Sequence, residues 1–251
     1  MTNSWMGTNL TSQTTVIPSA RTLAPLSTET NFSRMNVTAV CISRHTECWN
    51  IQDIPFYNYT EGWRPFQHEK TKERVAYLAE RRNTAVSKAL NVFPQTQHIL
   101  MIDSYYVDQE NQILKLVQEY AKKTLVEFRE GCILGASTWI LDKTKIRSRF
   151  RFYDGWTTPE ALELNPTLIQ KQGGVIPVKA VGGCYLCPRS VWEKTRYGVP
   201  EDLHGCEHNW LCERSGLPVF LSLNEMLWRE PLIYPLSKRV RVTLHLGRLV
   251  R

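Results

Sequence analysis

Two rhythms of apolar positions alternate along this chain. Val37-Thr38-Ala39-Val40-Cys41-Ile42 is a continuous β-branched run, the pattern of a strand covered on both faces. From Lys70 to Leu90 the spacing changes: Val75, Leu78, Ala79, Arg82, Ala85, Val86 and Ala89 recur near every 3.6 residues with no Gly or Pro between them, which predicts a helix. His98 to Asp103 is a second buried-strand run, Asp108 to Lys123 a second amphipathic helix, and Gly131 to Ile140 a third strand. Asp142 to Lys171 reads as an irregular connection. Val175 to Leu186 returns to strand character around Gly182-Gly183, a helix over Cys206 to Ser215 stops at Gly216, and Leu217 to Leu221 makes a short last strand. Strands alternating with helices predict an α/β fold, a mainly parallel, Rossmann-like sheet flanked by helices in a single domain.

The ends of the chain read differently. Residues 1–34 are Ser/Thr-rich without periodicity and are expected to form a polar N-terminal arm, whereas 35–230 carry the α/β pattern. Residues 231–251 form a basic segment with Lys238, Arg239, Arg241 and Arg248, read either as a solvated end or as a segment that closes over or flanks a site. A length of 251 residues and 42% hydrophobic content suit one large core. The formal charge of +7 favours an anionic partner: a nucleotide diphosphate, a nucleic acid or an acidic membrane surface. No run approaches the ~20 apolar residues of a membrane span, and the N-terminal stretch is too polar for a signal peptide. A cytoplasmic place with peripheral contact to an anionic membrane is therefore expected ahead of a luminal one, although Asn9, Asn31, Asn36 and Asn58 head glycosylation sequons. Seven cysteines, an odd number, argue against a disulfide scaffold. Cys184 and Cys187 with Cys206, His208 and Cys212 raise zinc, but the second half lacks a Cys-x-x-Cys knuckle, and buried thiols are the expectation.

Four places carry candidate chemistry. Ser43 and Arg44 follow the first strand, and ligands of open α/β sheets bind beyond the carboxyl ends of strands. Asp103 closes a buried strand, where a carboxylate serves a metal ion, a ribose hydroxyl or a helix cap. Gly182 and Gly183 let a backbone come close to a ligand, and Arg189 after the following strand can meet a phosphate; a bulge with a surface Arg is the plainer alternative. Glu207 and His208 open a helix, and either can accept a proton, though only the His has an ordinary pKa near neutrality.

Ala79-Glu80-Arg81-Arg82-Asn83, followed by Ile99-Leu100-Met101-Ile102-Asp103-Ser104, resembles the signature of GT-A nucleotide-sugar glycosyltransferases, in which an Arg-Asn pair precedes the strand that delivers an Asp-x-Asp motif. Here Tyr105 stands in place of the second acid. Gly182-Gly183 with Arg189 resembles the Gly-Gly strand lining the donor and acceptor junction in that family, and Glu207-His208 the acidic helix start that supplies the base in its inverting members. Val181-Gly182-Gly183 and the Glu207 helix also resemble the mannan-building mannosyltransferases of fungi. The resemblance runs from about Val75 to Glu225.

That resemblance implies a GT-A fold and transfer of a sugar, mannose being one candidate, from a nucleoside-diphosphate sugar to a glycan or other hydroxyl acceptor. Ser43 and Arg44 would lie near the base or ribose, Arg82 and Asp103 near the sugar nucleotide, and Gly182, Gly183 and Arg189 near the donor sugar. Glu207 or His208 would take the acceptor proton in an inverting reaction, and Asp103 with His245 would hold manganese or magnesium against the diphosphate. Two rivals stand beside it. Arg147, Arg149 and Arg151 interleaved with Phe150, Phe152 and Tyr153 fit a basic nucleic-acid-binding module, the less favoured partner, and Tyr105 leaves open a GT-A fold without activity.

Overall fold

A computed structural model describes residues 35–43, 51–62, 71–106, 108–128, 130–142, 149–152, 157–159, 173–201 and 205–229. The N-terminal arm, Arg44, Arg147, Tyr153, the basic C-terminal segment and His245 lie outside the described residues, and Arg149, Phe150 and Arg151 are described by backbone alone. In chain order the elements are β1 (Val37–Ile42), β2 (Phe56–Tyr59), α1 (Lys72–Val92), β3 (His98–Asp103), α2 (Glu110–Val126), β4 (Ile133–Asp142), β5 (Arg149–Phe152), β6 (Val175–Pro177), β7 (Cys184–Pro188), α3 (Ser190–Lys194), α4 (Glu207–Ser215) and β8 (Val219–Arg229).

Local chemistry sets the helix ends. The Thr71 hydroxyl accepts the Arg74 N–H at 3.2 Å and starts α1, and Pro94, two residues past its last turn, prevents continuation. Gly216 takes a φ of 68° and ends α4 in the left-handed conformation that costs a glycine least.

The strands form one sheet in the order β2-β1-β3-β7-β4-β8-β6, with β5 paired to β4. It is mixed, which corrects the expectation of a mainly parallel sheet: β1 pairs parallel with β2 and β3, and β4 with β8. The pairs β3-β7, β7-β4, β4-β5 and β6-β8 are antiparallel. An interior strand buried on both faces shows the same apolar run whichever way it points, so the pattern carried no direction. The single strand expected over Val175 to Leu186 is two, because Gly183 at φ 68° turns the chain before β7. The last strand runs on to Arg229 through a shift in register, Ala136 facing Ser222 and Ser137 facing Met226, so that Leu223, Asn224 and Glu225 bulge out. Glu119 of α2 accepts from Ser222 Oγ and, at 2.6 Å, from Asn224 Nδ2, which anchors the bulge. Asn224 and Glu225 interrupt the apolar run in the sequence, and that hid the second half of the strand.

Two cores lie against the two faces of the sheet. Ala79, Ala85, Val86 and Ala89 of α1, Trp192 of α3 and Leu211 of α4 pack on Val40, Met101 and Tyr185. Ile113, Leu116, Val117 and Tyr120 of α2 pack on Ala39, Leu100, Ile102 and Leu186. The winding reverses between β1 and β3: the chain leaves β1 toward β2 on one side and leaves β3 toward β4 on the other. Such a reversal leaves a crevice beyond the carboxyl ends of the two strands. No helix among the described residues is long and apolar enough to cross a membrane.

His98, at the start of β3, is partly buried with its Nδ1 3.2 Å from Tyr120 Oη, and burial pushes its pKa down from 6.5 to about 4. The folded state therefore stays neutral at His98 while the unfolded chain binds a proton below pH 6.5, so stability falls as the pH drops from 6.5 toward 4. Buried His208, also shifted downward, acts in the same sense. Urea midpoints at pH 7 and pH 4.5 should show a smaller acid loss in His98→Gln than in the parent; an equal loss in both would remove His98 as a source of it.

A candidate active site around Arg82

Parallel pairing puts Ile42 opposite Asp103, so the ends of β1 and β3 lie side by side at the reversal. Side chains alternate along β3, and Asp103 follows Ile99 and Met101 onto the face covered by α1 and α4. Its N–H donates to the Gly183 carbonyl at 2.7 Å. A Cβ at Gly183 would stand 3.1 Å from Tyr106 Cε2 and 3.3 Å from Thr138 Cγ2, and the φ of 68° disfavours any other residue there. Glu207 opens α4 behind a capping box in which Cys206 and Asn209 bond each other, while Asn209 Nδ2 also donates to the Thr157 carbonyl at 2.9 Å.

Arg82 joins these segments. Its Nη2 donates to Asp103 Oδ1 at 2.8 Å and its Nε to Glu207 Oε1 at 3.1 Å, and only 5% of its side chain is exposed. Glu207 is 3% exposed and Asp103 24%, so Asp103 is the member of the trio that reaches solvent. Burial works against the Arg82 charge, but Asp103 and Glu207 outweigh it and hold the guanidinium pKa well above its ordinary value. His208 Nε2 lies 3.6 Å from Glu207 Oε1. Burial first, and the Arg82 charge second, push the His208 pKa well down, so the imidazole is neutral. Two aromatic edges enclose it, Tyr185 at 5.6 Å and Tyr197 at 5.5 Å between ring centroids. Two buried atoms of the cluster, Arg82 Nη1 and His208 Nδ1, have no hydrogen-bond partner among the described residues. Buried polar atoms are ordinarily paired, and two orphans together mark where a ligand group or water would be met.

The structure thus brings Arg82, Asp103, Gly183, Glu207 and His208 to one place. Ser43 is buried beyond β1, its N–H donating to the Tyr59 carbonyl at 3.1 Å, and Gly182 is buried beside Gly183. Arg189 does not join them, although it was expected beside Gly182 and Gly183. Because β7 runs antiparallel to β3, Pro188 faces His98, and Arg189 emerges at the opposite end of the sheet. There it binds the Pro94 carbonyl at 2.7 Å and Glu193 at 3.1 Å. Zinc fails on similar grounds: Cys184 and Cys187 face opposite cores. Phe152 is buried against Trp139, ring centroids 5.8 Å apart, which withdraws it from the suggested base-stacking surface.

The described donors alone make no site for a divalent ion, and His245, the other ligand expected beside Asp103, lies outside the described residues. Asp103 Oδ1 is taken by Arg82, Glu207 is engaged by the same guanidinium, and no group of three His, Cys, Asp or Glu among the described residues could hold a metal. Asn83, Tyr185 and Tyr197 were missed as site residues. Asn83 stood next to Arg82 in the quoted pair, but Tyr197 lies in an irregular stretch where spacing carries no signal.

No family model matches the chain, and no curated protein matches it. Among solved structures, the crystal structure of A197 from STIV aligns at a TM-score of 0.43 and 12% identity, over 81% of this chain and 98% of that one.

Arg82→Ala would leave two buried or half-buried carboxylates facing each other, and breaking such a pair costs about 3–5 kcal/mol. Denaturant melts should show that loss, with part of it recovered when Glu207→Gln is added. A loss under about 1 kcal/mol would mean the ion pairs are no stronger than surface ones.

Proposed function

We propose that this chain transfers a glycosyl group from a nucleoside-diphosphate sugar to an acceptor hydroxyl. The observation that carries the reading is the Arg82 cluster itself: two carboxylates on one guanidinium and a neutral imidazole beside one of them, at the point where the winding of the sheet reverses. With His208 neutral, the cluster holds one positive and two negative charges, which suits the hydroxyl-rich sugar or ribose better than the diphosphate. Asp103, the exposed member, accepts hydrogen bonds from those hydroxyls, and Arg82 Nη1 supplies a donor to a ligand oxygen. The diphosphate falls to basic residues elsewhere, for which Arg44 and the segment with Lys238 and Arg239 are the candidates.

In an inverting displacement the acceptor oxygen forms its bond to the anomeric carbon as the bond to the diphosphate breaks, and the diphosphate leaves with the electron pair. The hydroxyl proton passes to His208 Nδ1. Glu207, 3.6 Å from Nε2, stabilises the imidazolium that results. Glu207 is the poorer base because Arg82 already binds its Oε1.

A thermal-shift screen of nucleoside diphosphates and their sugars tests the reading, since a ligand at 100 times its Kd adds about 2.7 kcal/mol of stability. Asp103→Asn should weaken the sugar nucleotide about tenfold, one hydrogen-bonded charge being worth about 1.5–3 kcal/mol. His208→Ala should lower kcat about 100-fold or more, and Glu207→Gln less. No shift with any sugar nucleotide would overturn the proposal, and equal kcat losses at His208 and Glu207 would overturn the assignment of the base.

A further inference from the structure

The Arg82 side chain accounts for Asp103 and Glu207, but nothing in that pairing fixes the imidazole ring beside them. Its neighbour on α1 does. Asn83 Nδ2 donates to the Tyr197 carbonyl at 3.0 Å, and Asn83 Oδ1 accepts the Tyr197 N–H at 2.9 Å. Residues 195–200 form no helix or strand, so these two bonds supply what a ladder would otherwise give the backbone of Tyr197. Held in this way, the Tyr197 ring lies edge-on to His208, 5.8 Å from the Arg82 guanidinium carbon, and 5.1 Å from the Trp192 ring. Its hydroxyl is hydrogen-bonded to that of Tyr185, whose ring forms the other wall of the imidazole box.

We infer that Asn83, acting through Tyr197, is a positioning residue that holds the His208 imidazole in its Nε2–H form, turned so that Nε2 faces Glu207 and the Nδ1 lone pair is left for an incoming hydroxyl. Three observations converge on this. Glu207 Oε1 lies on the Nε2 side at 3.6 Å, where a carboxylate favours the proton. Among the described residues His208 Nδ1 is buried without a partner, which suits a lone pair awaiting a donor from the ligand. The ring is uncharged because burial first and the Arg82 charge second act against its protonation, Glu207, Tyr185 and Tyr197 being the other titratable groups beside it. Only the identity of the incoming group rests on the glycosyl-transfer reading; the tautomer and its dependence on Asn83 do not.

The test is nitrogen NMR on the full chain with labelled histidine, read beside steady-state kinetics. In the parent protein at neutral pH, His208 should show a protonated Nε2 and an unprotonated Nδ1. Asn83→Ala should mix the two tautomers and lower kcat about tenfold or more while donor KM stays within about twofold. Asn83→Asp keeps the acceptor for the Tyr197 N–H and loses the donor to its carbonyl, so it should fall between. Tyr197→Leu keeps the backbone clasp and removes the wall, and should mix the tautomers as fully as Asn83→Ala, which covers the case of an Asn83 variant that does not fold. A protonated Nδ1 in the parent, or unchanged His208 signals in folded Asn83→Ala or Tyr197→Leu, would overturn the inference. Absence of any glycosyl transfer by the parent would sink the proposed function and leave the NMR result to decide this one.

Discussion

A guanidinium only 5% exposed has to be met by carboxylates or it could not be buried with its charge, and Arg82 is met by two, 21 and 125 positions further along the chain. Asp103 closes β3 and Glu207 opens α4, more than a hundred residues later. The pairing therefore demands that α1 and α4 lie on the same face of the sheet and that the end of β3 come between them. Helix packing alone would tolerate some sliding of α4 over the sheet. Hydrogen-bond geometry at 2.8 and 3.1 Å does not.

The same constraint shapes the chemistry. With one cation shared by two carboxylates, the cluster is polar and carries no excess of positive charge. Burial first, and the Arg82 charge second, also leave the resting imidazole of His208 uncharged. Asn83, the next position on α1, clasps the backbone of Tyr197, so two adjacent residues of one helix reach both the carboxylates and a ring beside His208. The overall charge of +7 belongs to other parts of the chain than this cluster.

Much of the fold was legible because it is local. The helix over Lys72–Val92 and the strand over His98–Asp103 announce themselves by period and by punctuation, and Gly216 marks the end of α4 through the one backbone conformation that favours glycine. The four-residue β2 and β5 were too short to show a period, and the bulge at Asn224 and Glu225 broke the run that would have revealed all of β8. In the site, Arg82, Asp103, Glu207 and His208 could each be named as candidates, whereas the pairing of Arg82 with Glu207 and the clasp of Asn83 on Tyr197 could not.

What the sequence determined by itself was which segments form strands and helices and which residues carry ionisable groups at element ends, since propensity, capping and period act over a few residues. The tertiary structure decided the direction of each strand and the company each charge keeps. Reversing β7 sent Arg189 to the far end of the sheet while leaving Gly183 against Asp103, a difference that no spacing within Val181 to Arg189 records. Likewise, whether Glu207 is a free base or the counter-charge of Arg82 depends on α1 and α4 meeting across 125 positions of chain, and only burial and long-range packing bring them together.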